Sequence, residues 1–336
     1  MIFARELNAA LHRCLETDPR VVVLGEDILD PYGGAFKVTR GLSTSFPQRI
    51  FTTPVSEGAI AGVSAGLALA GFRPIAALMF GDFLALCFDQ ILNHISKYDA
   101  MYAHAAKCPV VIRTPSGGHR GYGPTHSQSL EKYFVGVPHL RVVAASLYHD
   151  PRRAFESFLA SEDPVLYIEH KLLYPQELTL PQRGRVGDVL AAEGGSPGFL
   201  PTISLSYVAR EECRFTVLAY GYQAFVAAKV LDDLAMEEEV FGELLVPAQI
   251  GPMDWAPVEH SVAVTGSLVT VEEGTEGWSW GTEAAAVIGR RLFGKLRRPV
   301  DILASARTVI PGAKRLEAEM LVGPRQVKNA LREAAR

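Results

Sequence analysis

TTPVSEGAIAGVSAGLALAG, residues 52–71, sets a single acidic residue, Glu57, at the head of an otherwise apolar, small-residue segment. Gly58, Gly62 and Gly66 recur every fourth residue, which on a helix puts three bare backbone patches on one face. Such a face lets a second helix approach more closely than ordinary side chains allow. Ser56 or Thr53 can cap the start, and Glu57 then lies in the first turn, where the helix dipole favours negative charge. The stretch reads as a buried helix with a carboxylate at its mouth, packed against a partner. A first-turn Glu that merely stabilises the helix is the plainer alternative. A membrane span is excluded, because the uncharged run is short of the roughly 20 residues needed and Arg73-Pro74 ends it.

Outward from this helix, apolar runs alternate with helical segments. Phe3, Leu7, Leu11 and Leu15 mark a helix over 3–16. Buried strands are predicted at 21–27 (VVVLGED), 49–53, 74–80, 108–117, 140–146 and 164–171, with helices over 81–98 and 151–161. That alternation predicts an α/β fold with a doubly wound, mainly parallel sheet, whose ligands gather at the C-terminal ends of the strands. Residues 172–213 are rich in Pro and Gly and read as an irregular linker with room for one edge strand. A second α/β unit follows, with strands at 215–221, 241–249, 267–274 and 300–305 and helices at 222–237, 280–293 and from 325. The expected organisation is therefore a domain over 1–175, a linker over 176–212 and a second doubly wound domain over 213–336.

The chain has 336 residues, 48% of them hydrophobic and 21% charged, which is enough apolar material for two cores. A net charge of −4 offers neither nucleic acid nor an anionic membrane a partner. MIFARELNAAL at the start carries Arg5 and Glu6 inside its apolar stretch, so it reads as an amphipathic helix, not a signal peptide. Cys14, Cys87, Cys108 and Cys213 are far apart and form no CxxC, which predicts buried free thiols in a reducing cytoplasm. Walker and HExxH patterns are absent, and GYGPTH is not a GxGxxG.

Two segments converge on the C-terminal side of the first sheet: the GED that ends the first strand, and the loop GHRGYGPTHSQS, residues 118–129. The loop carries His119, His126, Ser127 and Gln128. A histidine on a glycine-rich loop beyond a strand faces a cleft, so a catalytic role and a plain surface position both stay open.

Taken in order, GED, YGGAFKVTRGL, the Glu57 segment, FGDF…FDQILN and THSQSLE resemble the beta subunit of the decarboxylating component of 2-oxo acid dehydrogenase complexes. That group includes pyruvate, branched-chain and acetoin members. VEEG…WGTEAA and ILAS…IPGA are similar to the transketolase-type C-terminal domain. The resemblance implies a thiamin pyrimidine-binding domain followed by a transketolase C-terminal-like domain, with thiamin diphosphate as cofactor.

Glu57 matches the family's carboxylate on N1′ of the cofactor's pyrimidine, a bond that favours the imino tautomer. Phe83 matches the residue that stacks on the pyrimidine, and Phe80 supports it. His126 matches the active-site histidine, and Glu26 an acidic residue near the channel between paired sites. In the family a GDG…N motif holds magnesium and the diphosphate. This chain has no GDG, so that half of the site is expected on an alpha subunit, in an α2β2 heterotetramer with the glycine face at a subunit contact. The further partners implied are a 2-oxo acid substrate and a lipoyl-bearing acyltransferase component. A potassium site is implied at Val110, Phe158, Leu159, Ser161 and Asp163, with Ser161 standing where the family usually has Asp. The alternative is the C-terminal half of a split transketolase, or a related two-carbon transferase that loads an acyl carrier. A non-catalytic structural partner is disfavoured by the joint presence of Glu57, Phe83 and His126.

Overall fold

The computed structural model describes residues 1–336 except positions 183, 187, 188 and 199. The first half runs α1 (Phe3–Thr17), β1 (Val21–Gly25), α2 (Leu42–Ser45), β2 (Ile50–Thr52), α3 (Glu57–Leu69), β3 (Arg73–Ala77), α4 (Tyr98–Met101), β4 (Val111–Ser116), β5 (Arg141–Ala144), α5 (Pro151–Ala160) and β6 (Val165–His170). The second half runs β7 (Arg185–Val186), β8 (Val189–Gly194), β9 (Thr202–Ser206), β10 (Thr216–Ala219), α6 (Gly221–Glu238), β11 (Glu243–Pro247) and β12 (Gln249–Gly251). It continues with α7 (Ala256–Thr265), β13 (Leu268–Thr275), α8 (Trp280–Arg291), β14 (Asp301–Ser305), α9 (Lys314–Met320) and α10 (Pro324–Ala334).

The first sheet has the order β12-β5-β6-β4-β3-β1-β2. All its neighbours are parallel except β12, which runs antiparallel to β5. Strands β1, β4 and β6 are buried along their whole length, which is why they read as continuous apolar runs. The second sheet has the order β14-β13-β10-β11-β9-β8-β7. Its β10, β11, β13 and β14 pair in parallel, while β7, β8 and β9 are antiparallel. The α/β expectation holds, with both sheets mixed. No helix among the described residues is long and apolar enough to cross a membrane.

Four local expectations are corrected. The stretch 176–212, read as linker, contains β7, β8 and β9. In β9 the apolar Ile203 and Leu205 alternate with Ser204 and Ser206, so the strand buries one face and its Gly and Pro neighbours mark turns. The single strand expected over 241–249 splits into β11 and β12, which join different sheets. The helix expected over 81–98 is instead a 3₁₀ segment, Gly81–Cys87, followed by a π turn, Gln90–Ile95. A Cβ at Gly81 would lie 2.7 Å from Ser116 Cβ, so glycine lets this segment pass close to the end of β4. Finally, neither Ser56 nor Thr53 caps α3. Ser56 occupies the N-cap without a side-chain bond, and its N–H donates to Glu26 Oε1 at 3.2 Å.

Helix α3 buries Glu57, Ile60, Ala61, Ser64, Ala65 and Ala68. Its other side is exposed. Side chains added at Gly62 and Gly66 would meet nothing within 4 Å, and Val63 between them is 56% exposed. The core is not divided between the halves: one continuous cluster joins Leu24, Ile60, Ile112 and Leu166 to Tyr220, Leu245, Ile250 and Trp280.

Candidate active site

Parallel strands deliver their loops to one edge, and here five of them deliver polar or aromatic groups. Glu26 follows β1, Glu57 begins the helix after β2, Phe80 and Phe83 follow β3, the 117–129 loop follows β4, and Lys171 follows β6. This is the edge at which ligands of open α/β sheets bind.

His126 lies among aromatic rings. Its ring meets Phe80 at 4.8 Å and Phe83 at 5.3 Å between centroids, both nearly perpendicular. Phe80 and Phe83 meet edge-on at 5.8 Å, and Phe80 also touches Phe36 and Tyr122. Edge-to-face contacts of this kind fix ring orientation beyond what burial alone would do. His126 Nδ1 is 3.0 Å from the Thr125 hydroxyl, and Nε2 makes no hydrogen bond among the described residues.

Beneath the rings lies Lys171, fully buried. Its ammonium donates to the His126 carbonyl and sits 5.2 Å from the Phe80 ring centroid and 5.7 Å from that of Tyr122. Burial drives its pKa down to about 8, against the pull of the Asp82 and Glu273 carboxylates. Asp82 Oδ1 accepts the Gln128 backbone N–H at 3.2 Å and its side-chain amide at 2.8 Å. Asp82 Oδ2 and the Ser127 hydroxyl are buried without a partner.

Glu26 and Glu57 form a second grouping, both almost fully buried. Burial raises the Glu26 pKa, the Glu57 charge raises it further, and the Ser56 N–H works against both. Around the same helix mouth, Thr53 Oγ1 and Gln90 Oε1 are buried polar atoms without partners. Gln90 Oε1 is 3.6 Å from where a Cβ at Gly58 would lie. Natural interiors rarely leave such atoms unpaired.

Residues 3–177 match the family description "Transketolase, pyrimidine binding domain", and residues 206–327 match "Transketolase, C-terminal domain". A pyruvate dehydrogenase E1 component subunit beta from Leifsonia xyli is 36% identical over 92% of this chain and 88% of its own length. The beta subunit of acetoin:2,6-dichlorophenolindophenol oxidoreductase from Cupriavidus necator is 31% identical, over 97% of this chain and 95% of the relative. The beta subunit of 2-oxoisovalerate dehydrogenase from Bacillus subtilis is 32% identical, over 100% and 98%. The chain belongs to the family of 2-oxo acid dehydrogenase E1 beta subunits.

The family is thiamin diphosphate-dependent and transketolase-like in fold. A solved structure titled "Split gene transketolase, inactive beta4 tetramer" superposes with a TM-score of 0.73 at 21% identity, covering 100% of this chain and 99% of that one, a likeness of fold.

As an E1 beta-subunit relative, the chain shows how its expected residues are placed. Phe80, Phe83 and His126 come together, as do Glu26 and Glu57. The potassium set Val110, Phe158, Leu159, Ser161 and Asp163 lies at the opposite strand edge, before β4 and β6. Three of their carbonyls accept hydrogen bonds. The Val110 carbonyl accepts from Val165 N–H at 2.9 Å and the Phe158 carbonyl from Ser161 N–H at 3.2 Å. The Ser161 carbonyl takes the Arg73 guanidinium at 2.6 Å, so a positive charge is already supplied there, and Asp163 is exposed. No group of three or more His, Cys, Asp or Glu that could hold a metal occurs among the described residues.

Sequence reasoning missed Lys171, Asp82, Glu273 and Glu317. The first two were within reach, because Lys171 directly follows β6 and Asp82 lies in the FGDF segment already singled out. The last two belong to the second half and meet the site only through the fold.

Proposed function

We propose that this chain is the beta subunit of a thiamin diphosphate-dependent 2-oxo acid dehydrogenase. It acts with an alpha subunit in an α2β2 assembly that oxidatively decarboxylates a 2-oxo acid and reductively acylates lipoyl groups on an acyltransferase component. In this reading 1–175 is the pyrimidine-binding domain, and the second domain begins near 213. The four thiols are buried, and those of Cys14, Cys87, Cys108 and Cys213 are each pushed up to about 12 by burial, which suits structural cysteines in the cytoplasm.

One observation carries the reading. Glu57 is buried at the start of α3, on the same strand edge as the Phe80–Phe83–His126 cluster, while the flank of that helix is bare. Half a site beside an uncovered apolar face is what a shared active site leaves on one subunit. The chain has no GDG motif, so the diphosphate and its magnesium fall to the partner.

When bound, thiamin diphosphate supplies a nucleophilic carbon and an electron sink for decarboxylation. Glu57 is the group to share a proton with the pyrimidine ring, and the Glu26 carboxyl beside it, with its raised pKa, limits the negative charge there. Phe83, held edge-on by Phe80, offers an aromatic face. His126 presents Nε2 to the cleft as a proton donor or acceptor, with its backbone held by Lys171. The Arg73 guanidinium donates to the Ser161 carbonyl, one of the five positions where potassium was expected.

The test is titration of thiamin diphosphate with magnesium into this chain alone and into its mixture with an alpha-type subunit. Binding is expected only in the mixture, with turnover of a 2-oxo acid. Tight binding by this chain alone would overturn the divided site. Turnover of ketose donors in place of 2-oxo acids would favour the split-transketolase alternative.

A further inference from the structure

The loop that carries His126 is tied at both ends to one carboxylate from the other half of the chain. Glu273, on β13, accepts the Gly118 N–H at 2.7 Å and the Ser129 hydroxyl at 3.2 Å, both on Oε1. Its Oε2 lies 2.9 Å from His170 Nε2 and 3.5 Å from His119 Nε2. A second carboxylate, Glu317 on α9, is fully buried and accepts the Gly121 N–H at 2.7 Å. The loop backbone presses on this support. A Cβ at Gly118 would run into Leu321, and one at Gly121 would lie 3.1 Å from the Gly312 carbonyl. Buried acidic groups that accept backbone N–H donors make strong, directional bonds. These bonds reach the loop at 118, 121 and 129, on either side of His126.

We propose that Glu273, seconded by Glu317, is a positioning residue for His126, so that the second half of the chain sets the geometry of a side chain borne by the first. The inference rests on the reading of His126 as an active-site group. Neither carboxylate touches the cleft; each acts by holding the loop. His170, which stacks on Tyr222 at 4.8 Å, completes the support from behind.

Two measurements test the proposal. The first is hydrogen exchange of the intact chain, followed by mass spectrometry and needing neither cofactor nor partner. Glu273→Ala should speed exchange of amides 117–129 at least tenfold while the strand amides of both sheets stay protected. Glu273→Gln keeps an acceptor oxygen for Gly118 and Ser129 and should restore most of the protection. The second is turnover in the reconstituted complex. Glu273→Ala and Glu317→Ala should each lower kcat ten- to hundredfold with KM changed less than threefold, and Glu273→Gln should recover most of kcat. Unchanged loop exchange in a folded Glu273→Ala chain would overturn the inference, as would exchange that rises equally everywhere. If Glu273→Ala does not fold, Glu317→Ala and Ser129→Ala carry the same comparison. A wild-type complex without 2-oxo acid turnover would sink the functional reading and leave the exchange result standing.

Discussion

Glu57 and Lys171 show how a single side chain is set up by what surrounds it. Glu57 is the first residue of α3 and is 3% exposed, so burial leaves it a short list of possible proton partners. Glu57→Gln keeps size and shape but loses the ability to carry negative charge. Turnover in the reconstituted complex is expected to fall roughly 10²-fold or more, with assembly on size-exclusion chromatography unchanged. Lys171 makes a prediction with a sign. Its folded pKa, about 8, lies below the ordinary lysine value of 10.5, so the folded state releases the proton first. Between those two pH values the unfolded chain holds more protons, and stability rises with pH. Lys171→Met should therefore show a Tm advantage over wild type that shrinks between pH 8 and 10.5. It should also cost about tenfold in kcat, because the His126 carbonyl loses its donor. A wild-type Tm that tracks the variant across that range would mean that Lys171 is not held in its depressed state.

At the scale of elements, α3 separates what one chain needs from what an assembly needs. Its buried side packs on β3 and the 3₁₀ segment, while Gly62 and Gly66 face open space. A glycine inside an exposed helix costs roughly 1 kcal/mol relative to alanine, a cost that the isolated chain has no reason to bear. Gly62→Leu should leave the Tm of the isolated chain unchanged or higher, and should block association with the alpha subunit in a pull-down. Normal association would show that this face is not a contact. Parallel strands such as β1, β4, β6, β10 and β11 were legible because both their faces are buried, so the apolar run itself is the signal. The three residues of β12 carry no such run, since Gln249 and Gly251 are buried by an antiparallel bond to β5 that no local pattern announces. Helix α9 was hidden for a related reason: its one buried residue is Glu317, and a helix without an apolar stripe has no period to read. In the site, Glu26, Glu57, Phe80, Phe83 and His126 were reached through the family resemblance, and all of them lie beyond strand ends of the first sheet. Glu273 and Glu317 were not, because their role arises from contact between the halves.

That contact makes the two halves one molecule, and its titration can be read. The shared core cluster, β12 in the first sheet and the acidic groups at the junction all join residues far apart in the chain. Two of those acids pull in opposite directions. Glu273 is opposed by burial, but His170, His119 and the Gly118 N–H outweigh it and hold its pKa down to about 2. Its contribution to stability is full above the ordinary glutamate value of 4.5 and is lost as pH falls toward 2. Glu131, which accepts the Tyr220 hydroxyl at 2.9 Å across the junction, is driven up to about 7, chiefly by burial. Its Oε2 has no partner, and Glu272 and Glu273 add repulsion. Between pH 4.5 and 7 the folded state holds the Glu131 proton that the unfolded chain has already released, so stability falls as pH rises. Above 7 the folded carboxyl ionises too and the loss levels off. Glu131→Gln cannot ionise and keeps an acceptor for Tyr220. The excess of its Tm over wild type should thus grow from pH 4.5 to 7 and then stay constant, in a single unfolding transition reported alike by tryptophan fluorescence and by far-UV signal. Two transitions would mean that the halves unfold separately, and a pH-independent Tm difference would mean that Glu131 enters the folded chain already charged.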